Sequence, residues 1–191
     1  MRCFVAIDLP PDVRDALHAT AERLRAGAPR ADVRWTAATA MHLTLAFLGE
    51  VAEERVTAIR DALAGVTSST PPIALVCASL GTFPGAARPR VVWAGIADGL
   101  RELGLLAAGV ADALEPLGFA PERRPFRGHV TLGRVRSPRG FDPLARELDA
   151  AARATFGRWT ASHVVLYRSH LRRTGSVYEA LAVLPLAGAV A

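Results

Sequence analysis

Apolar and polar residues alternate from Arg2 to Asp8 within a β-branched and aromatic run, which predicts a strand. Pro10-Pro11-Asp12 then opens a helix, with Val13, Ala16, Leu17, Ala21 and Leu24 on one face and Gly27 near its end. Val33 to Trp35 reads as a short strand, and His42 to Leu48 as a stronger one closed by Gly49. Helical spacing of Val56, Ile59 and Leu63 predicts a helix over Val51 to Leu63. Pro71-Pro72 introduces a strand from Ile73 to Leu80, and a loop rich in Gly, Pro and Arg (Gly81 to Arg90) leads to another from Val91 to Gly95. A long helix, Leu100 to Leu117, ends at Gly118, and the basic segment Pro121 to Gly128 precedes a strand from His129 to Arg136. Asp142 to Ala154 reads as helix. Strands at His163 to Ser169 and Val177 to Leu184 close the chain, joined by Leu171 to Ser176.

This order of helices and hairpin-like strands predicts an α+β fold with mostly antiparallel sheets. No linker or low-complexity stretch divides the 191 residues, so a single domain over 1–191 is expected, long enough to bury a substantial core. No apolar run is long enough to cross a bilayer, and the acidic residue and prolines after Ile7 argue against a signal peptide; a cytoplasmic location is expected. Cys3 and Cys77 lie far apart in apolar runs and are expected to be core residues.

A net charge of +5 favours a polyanionic partner. The chain has no Lys, Asn or Gln, a pattern of base-composition bias, so the choice of Arg over Lys carries no information about phosphate binding.

Two segments resemble each other: His42-Leu43-Thr44-Leu45-Ala46-Phe47 and His129-Val130-Thr131-Leu132-Gly133-Arg134. Each starts a strand with His-x-Thr-Leu, and they lie close to half a chain apart, as an internal duplication would place them. Strand parity puts His42 and Thr44 on one face and Leu43, Leu45 and Phe47 on the other; His129 and Thr131 share a face in the same way. One His-x-Thr strand is more often structural than catalytic. Two at matched parity suit in-line displacement at phosphorus, one imidazole taking a proton and the other giving one, while hydroxyls hold the phosphate oxygens. No HExxH, Asp-x-Asp pair or carboxylate cluster accompanies either histidine, so neither metal nor cofactor is expected.

The paired motif resembles the double signature of the 2H phosphoesterases, and most nearly the LigT/ThpR-type RNA 2′,3′-cyclic phosphodiesterases, also called the 2′-5′ RNA ligase family. Phe4 to Pro10, Leu43 to Val51, Arg90 to Trp93, Arg124-Pro125-Phe126, Leu166 to Ser169 and Tyr178 to Leu181 carry the resemblance over nearly the whole chain. It implies a bilobal fold of two pseudo-symmetric halves around a central cleft, each half supplying one His-x-Thr strand. It implies His42 as the acid that protonates the departing ribose 3′-oxygen and His129 as the base that activates water, leaving a 2′-phosphate. Thr44, Thr131 and Arg134 would bind the phosphate, and slow joining of ends through a 2′-5′ linkage is the reverse reaction. The implied partner is RNA with a 2′,3′-cyclic end, or a small nucleotide, bound by a monomer.

Gly133 stands where this family has a bulkier apolar residue, and Arg134 is out of phase with His129 and Thr131. An ideal strand turns Arg134 away from the cleft; a bulge at Gly133 or an end to the strand would bring it back. Phe47, at the equivalent place, is expected in the core, as are Trp35, Trp93 and Trp159. His18 is expected to be structural; His163 and His170 fall on opposite faces and make no metal pair, although His170 could edge the cleft. Arg123, Arg124, Arg127, Arg172 and Arg173 are either an RNA-backbone site or a solvated basic surface. Two other functions compete with RNA end hydrolysis: a phosphodiesterase for a small cyclic nucleotide or a 2′-5′-linked oligonucleotide, and a catalytically idle RNA-binding module.

Overall fold

The computed structural model describes residues 1–85, 87–122, 124–172 and 175–187, and in them nine strands and four helices follow the predicted order with one addition. They are β1 (Arg2–Asp8), α1 (Pro11–Gly27), β2 (Val33–Trp35), β3 (His42–Glu50), α2 (Val56–Thr67), β4 (Ile73–Phe83), β5 (Val91–Asp98), α3 (Leu100–Leu114), β6 (His129–Val135), α4 (Phe141–Ala150), β7 (Thr155–Ala161), β8 (His163–Arg172) and β9 (Gly175–Pro185).

Three differences from the sequence pattern have local causes. Val51 does not start α2, because its N–H donates to the Met1 carbonyl and its own carbonyl accepts from the terminal amine; a 3-10 turn over Glu53–Arg55 intervenes. The loop predicted from Gly81 is shorter, since Gly81, Thr82 and Phe83 pair with Trp93, Val92 and Val91. The helix predicted to Ala154 stops at Ala150, and β7 follows as an edge strand paired to β4, with Gly157 and Arg158 interrupting the alternation that would have announced it.

All pairings are antiparallel, in the order β7-β4-β5-β6-β3-β1-β8-β9. The chain belongs to an α+β fold whose curled nine-stranded sheet falls into two halves meeting between β6 and β3, four strands on each side of that join and β2 paired to β6 off the main path. One half takes all its strands from the middle of the chain (β4 to β7). The other combines β1 and β3 with the C-terminal hairpin β8–β9. At the join a single pair, Leu43 opposite Val130, completes the ladder.

Helices cover one face. α1 and α4 pack together, α1 also meeting β6 and β7; α2 and α3 pack together against β8, β9, β3 and β4. Val13, Leu17 and Leu24 from α1, Ile59 and Leu63 from α2 and Leu103, Leu106 and Val110 from α3 share one core with Val5, Ile7, Leu43, Val130 and Leu132. Burying each large aliphatic side chain contributes about 1.5–3 kcal/mol. That drive fixes the helix-facing side of every central strand. Both cysteines are buried and free in this core, and burial pushes the Cys77 thiol up to about 12, which leaves it inert as a nucleophile.

Candidate active site

β3 and β6 run antiparallel through the Leu43–Val130 pair, and both residues are fully buried. Counting outward in antiparallel register sets His42 across from Thr131 and Thr44 across from His129. Parity turns all four away from the core, onto the sheet face that the helices leave open. Each histidine therefore begins its own lobe's strand, level in register with the other lobe's threonine.

The same local device holds both rings. His42 Nδ1–H donates to the Ala40 carbonyl at 3.0 Å, and His129 Nδ1–H donates to the Arg127 carbonyl at 2.7 Å, two residues upstream in each case. A carbonyl can only accept, so the bond assigns the proton to Nδ1 and leaves Nε2 of the neutral ring with its lone pair free. Aromatic neighbours fix the ring planes. The His42 ring lies 4.7 Å from Phe4 and meets Tyr178 edge-on at 5.1 Å; the His129 ring meets Phe83 edge-on at 5.0 Å.

Burial lowers the pKa of each ring by penalising the charged form. The carbonyl bonds push the other way, and Asp8 adds to that push at His42 alone. Positive charge at Arg134 lowers both rings, and His129 lowers His42. The two imidazoles and the guanidinium thus share one electrostatic environment.

Arg134 reaches this face through a bulge. On β5, Trp93 pairs with Thr131 but the next residue, Val92, pairs with Gly133, so Leu132 is the extra residue. Leu132 and Gly133 are both buried, and Arg134 returns exposed to the side of His129 and Thr131. Glycine is needed at 133 because β2 lies against it: a Cβ there would stand 2.7 Å from Val33 Cγ1 and 3.2 Å from Trp35 Cε3. β3 carries the matching irregularity, since Ala6 pairs with Thr44 and Val5 with Ala46, which leaves Leu45 extra. Phe47 is consequently not in the core. It is 72% exposed, on the open face opposite Phe4.

Trp93 also departs from the core placement. It sits across from Thr131, stacks on Phe83 at 5.0 Å between ring centroids, and lies over Gly81, where any Cβ would collide with the indole. Trp35 and Trp159 do pack against the core.

Several residues of this face were not singled out in the sequence. Asp8 is the cross-strand partner of His42, and its carboxylate accepts a 2.7 Å hydrogen bond from the Tyr167 hydroxyl. Burial and that bond push the tyrosine pKa up. A cavity of about 150 Å³ opens there, lined by Asp8, Arg14, Thr39, Met41, His42, Tyr167 and Tyr178. Strand pairing sets Asp8 beside His42, and β8 and the packing of α1 bring up Tyr167 and Arg14 from distant parts of the chain, so a linear pattern could not reveal the group.

The remaining candidates scatter. His163 Nε2 stands 3.7 Å from Asp8 Oδ2. His170 instead bonds Glu179 at 2.7 Å, on the strand parity opposite Tyr167, and does not edge the cleft. His18 is half-buried in α1. Arg127 lies over the Phe83 ring at 5.7 Å, Arg124 pairs with Glu122, and Arg172 is exposed at the hairpin end. Arg123 and Arg173 lie outside the described residues. Among the described residues no three of His, Cys, Asp and Glu gather closely enough to hold a metal ion, and no helix is long and apolar enough to cross a membrane.

The profile of the family described as "LigT like Phosphoesterase" matches residues 7–93 and 95–178, which takes in both motifs and every strand from β2 to β8. The chain belongs to the LigT-like phosphoesterase family. Among its relatives, the RNA 2′,3′-cyclic phosphodiesterase of Archaeoglobus fulgidus is 32% identical over 96% of this chain and 99% of its own length. That of Geobacillus stearothermophilus is 32% identical over 97% of this chain, which spans 57% of that longer relative. The crystal structure of Escherichia coli LigT complexed with 3′-AMP matches with a TM-score of 0.73 at 31% identity, over 97% of each chain. The LigT-like family is an enzyme family, and in this member the two motifs lie at the join of its two lobes.

Proposed function

We propose that the protein opens 2′,3′-cyclic phosphate ends of RNA to 2′-phosphomonoesters by two-histidine acid and base catalysis, without a metal ion. The observation that carries this reading is the pair of imidazoles, each anchored through Nδ1 and each presenting Nε2 to a face they share with Arg134. Homologues named RNA 2′,3′-cyclic phosphodiesterase support the substrate class.

In the proposed reaction, His129 Nε2 takes a proton from water as the oxygen attacks phosphorus. The P–O3′ bond breaks in line, and His42 Nε2 delivers a proton to the departing 3′-oxygen. Thr44 and Thr131 donate to the non-bridging oxygens, and Arg134 neutralises the charge that grows on them. At His42 the negative charge of Asp8 favours the protonated form, while burial and the positive charges of His129 and Arg134 oppose it, so the choice of His42 as the acid follows the resemblance of its motif to the family's first one. With the 5′-hydroxyl of a second RNA end in place of water, the same groups would open the cyclic phosphate to a 2′-5′ linkage, the 5′-oxygen attacking phosphorus, His129 taking its proton and His42 protonating the departing 3′-oxygen.

The exposed Phe47 ring, on the same face, suits stacking on the terminal base. A catalytically idle RNA-binding module would have no use for two histidines held as matched tautomers. The test is incubation of a short RNA with a 2′,3′-cyclic end, beside 2′,3′-cyclic mononucleotides and a 2′-5′-linked oligonucleotide, in chelator. A 2′-phosphate product is expected. A 3′-phosphate product would reverse the direction of opening, and a need for added divalent metal would sink the mechanism.

A further inference from the structure

β2 is only three residues long, and it pairs with β6 in the register Val33–Val135, Arg34–Arg134, Trp35–Gly133. Directly opposite residues of an antiparallel pair project to the same face. Arg34 therefore stands beside Arg134 on the open face, and both are exposed. Among the described residues neither guanidinium has a carboxylate within ion-pair distance, and neither donates a hydrogen bond.

Like charges directly opposite across strands cost stability. The fold nonetheless fixes this juxtaposition. Val33 and Trp35 occupy the space over Gly133, which locks the phase of β2 and leaves Arg34 no other side to take. Beyond Trp35 the chain stays on β6, Thr36 N–H donating to the Leu132 carbonyl, before a short turn over Ala38–Ala40 delivers His42. Arg34 and His42 thus lie along one edge of β6, Arg34 level with Arg134 and His42 level with Thr131, so both guanidiniums stand on the same side of the reacting centre along β6.

From this we propose that Arg34 is a specificity-determining residue that binds a second phosphate of the substrate, next to the one undergoing ring opening. In RNA this is the internucleotide diester on the 5′ side of the terminal nucleotide; the same chemistry is offered by a 5′-phosphate on a cyclic mononucleotide. The inference rests on the proposed reaction and deepens it, because it makes Arg34 the residue that favours a chain end over a bare cyclic nucleoside phosphate.

Three substrates separate the sources: adenosine 2′,3′-cyclic phosphate, the same compound with a 5′-phosphate, and the dinucleotide ApA ending in a 2′,3′-cyclic phosphate. Arg34→Ala is expected to lower kcat/KM about tenfold on the dinucleotide, the loss lying in KM, as for one charge-assisted phosphate contact. On the substrate with a single phosphate it should stay within twofold of wild type. Loss on the 5′-phosphorylated mononucleotide as well would assign Arg34 to any second phosphate; loss on the dinucleotide alone would assign it to the diester. The salt dependence of dinucleotide binding should flatten by about one phosphate contact. Arg34→Lys should recover part of the loss.

Removing Arg34 relieves a like-charge pair, so the melting temperature should not fall, which separates binding from folding. Equal losses on all three substrates, or none on any, would overturn the proposal. If the wild-type protein turned over none of them, the proposed reaction would fail instead. Arg34 would then be read by calorimetry with ApA 2′-phosphate and 2′-AMP, where an affinity unaffected by Arg34→Ala overturns it.

Discussion

Leu43 of β3 stands directly opposite Val130 of β6, and this one pair joins the two lobes at the centre of the sheet. Both side chains are fully buried. Their neighbours on either side, His42 and Thr44, His129 and Thr131, must then face the open side. The two imidazoles therefore begin on the same few residues of sheet, at the join of the lobes.

His42→Ala and His129→Ala are each expected to reduce kcat by about 10²–10⁴ while substrate affinity changes little, because proton transfer matters only in the transition state. Single-turnover rates with an affinity measurement on the product would check this. A His129→Ala protein retaining most of its turnover would end the two-histidine mechanism.

The pH dependence follows from the shifted rings. The base must be neutral and the acid protonated in the free enzyme, and both pKa values are lowered, first by burial. The bell in kcat/KM should therefore be centred on the acid side of the ordinary imidazole value of about 6.5, its two limbs belonging to the coupled pair. Arg134→Ala removes a positive charge that lowers both rings, so both limbs should move to higher pH while the maximum falls about 10²–10³-fold. A lower maximum at unchanged pH would mean that Arg134 acts on the phosphate without influencing the rings.

Stability should respond to acid in the same direction. A ring whose folded pKa is lowered leaves the unfolded chain to bind protons first, so its contribution is fully present above about pH 6.5 and lost as pH falls through the folded value. His42→Asn should reduce the drop in melting temperature over that window; an identical drop would mean that other groups set the acid limb.

Gly133→Val should destabilise the protein by about 1–3 kcal/mol through overpacking against Val33 and Trp35. Because β2 must shift to make room, it should also weaken discrimination in favour of the dinucleotide over the cyclic mononucleotide. Denaturant melts with the two kinetic assays would report both effects.

Phe47→Ala should leave stability within about 0.5 kcal/mol, since the ring is exposed. Loss of base stacking should weaken nucleotide binding by about 1–3 kcal/mol. A ring that contributed to the core would give the opposite pattern, with loss of stability and no effect on binding.

The sequence by itself determined the α+β class, the strands bearing His42 and His129, and the pairing of each imidazole with a hydroxyl. Those follow from local periodicity, and a period of two is legible in any strand that buries one face. It also marked Gly133 and Arg134 as the place where a bulge or an end to the strand would return Arg134 to the side of His129; the pairing with β5 and β2 decided for the bulge. What it could not decide was anything set by register between strands distant in the chain. The bulges at Leu45 and Leu132 turned Phe47 and Arg134 to the open face, and pairing placed Asp8 beside His42, Trp93 beside Thr131 and Arg34 beside Arg134. Cross-strand neighbours are chosen by the packing of the whole core, which no local window of the chain contains.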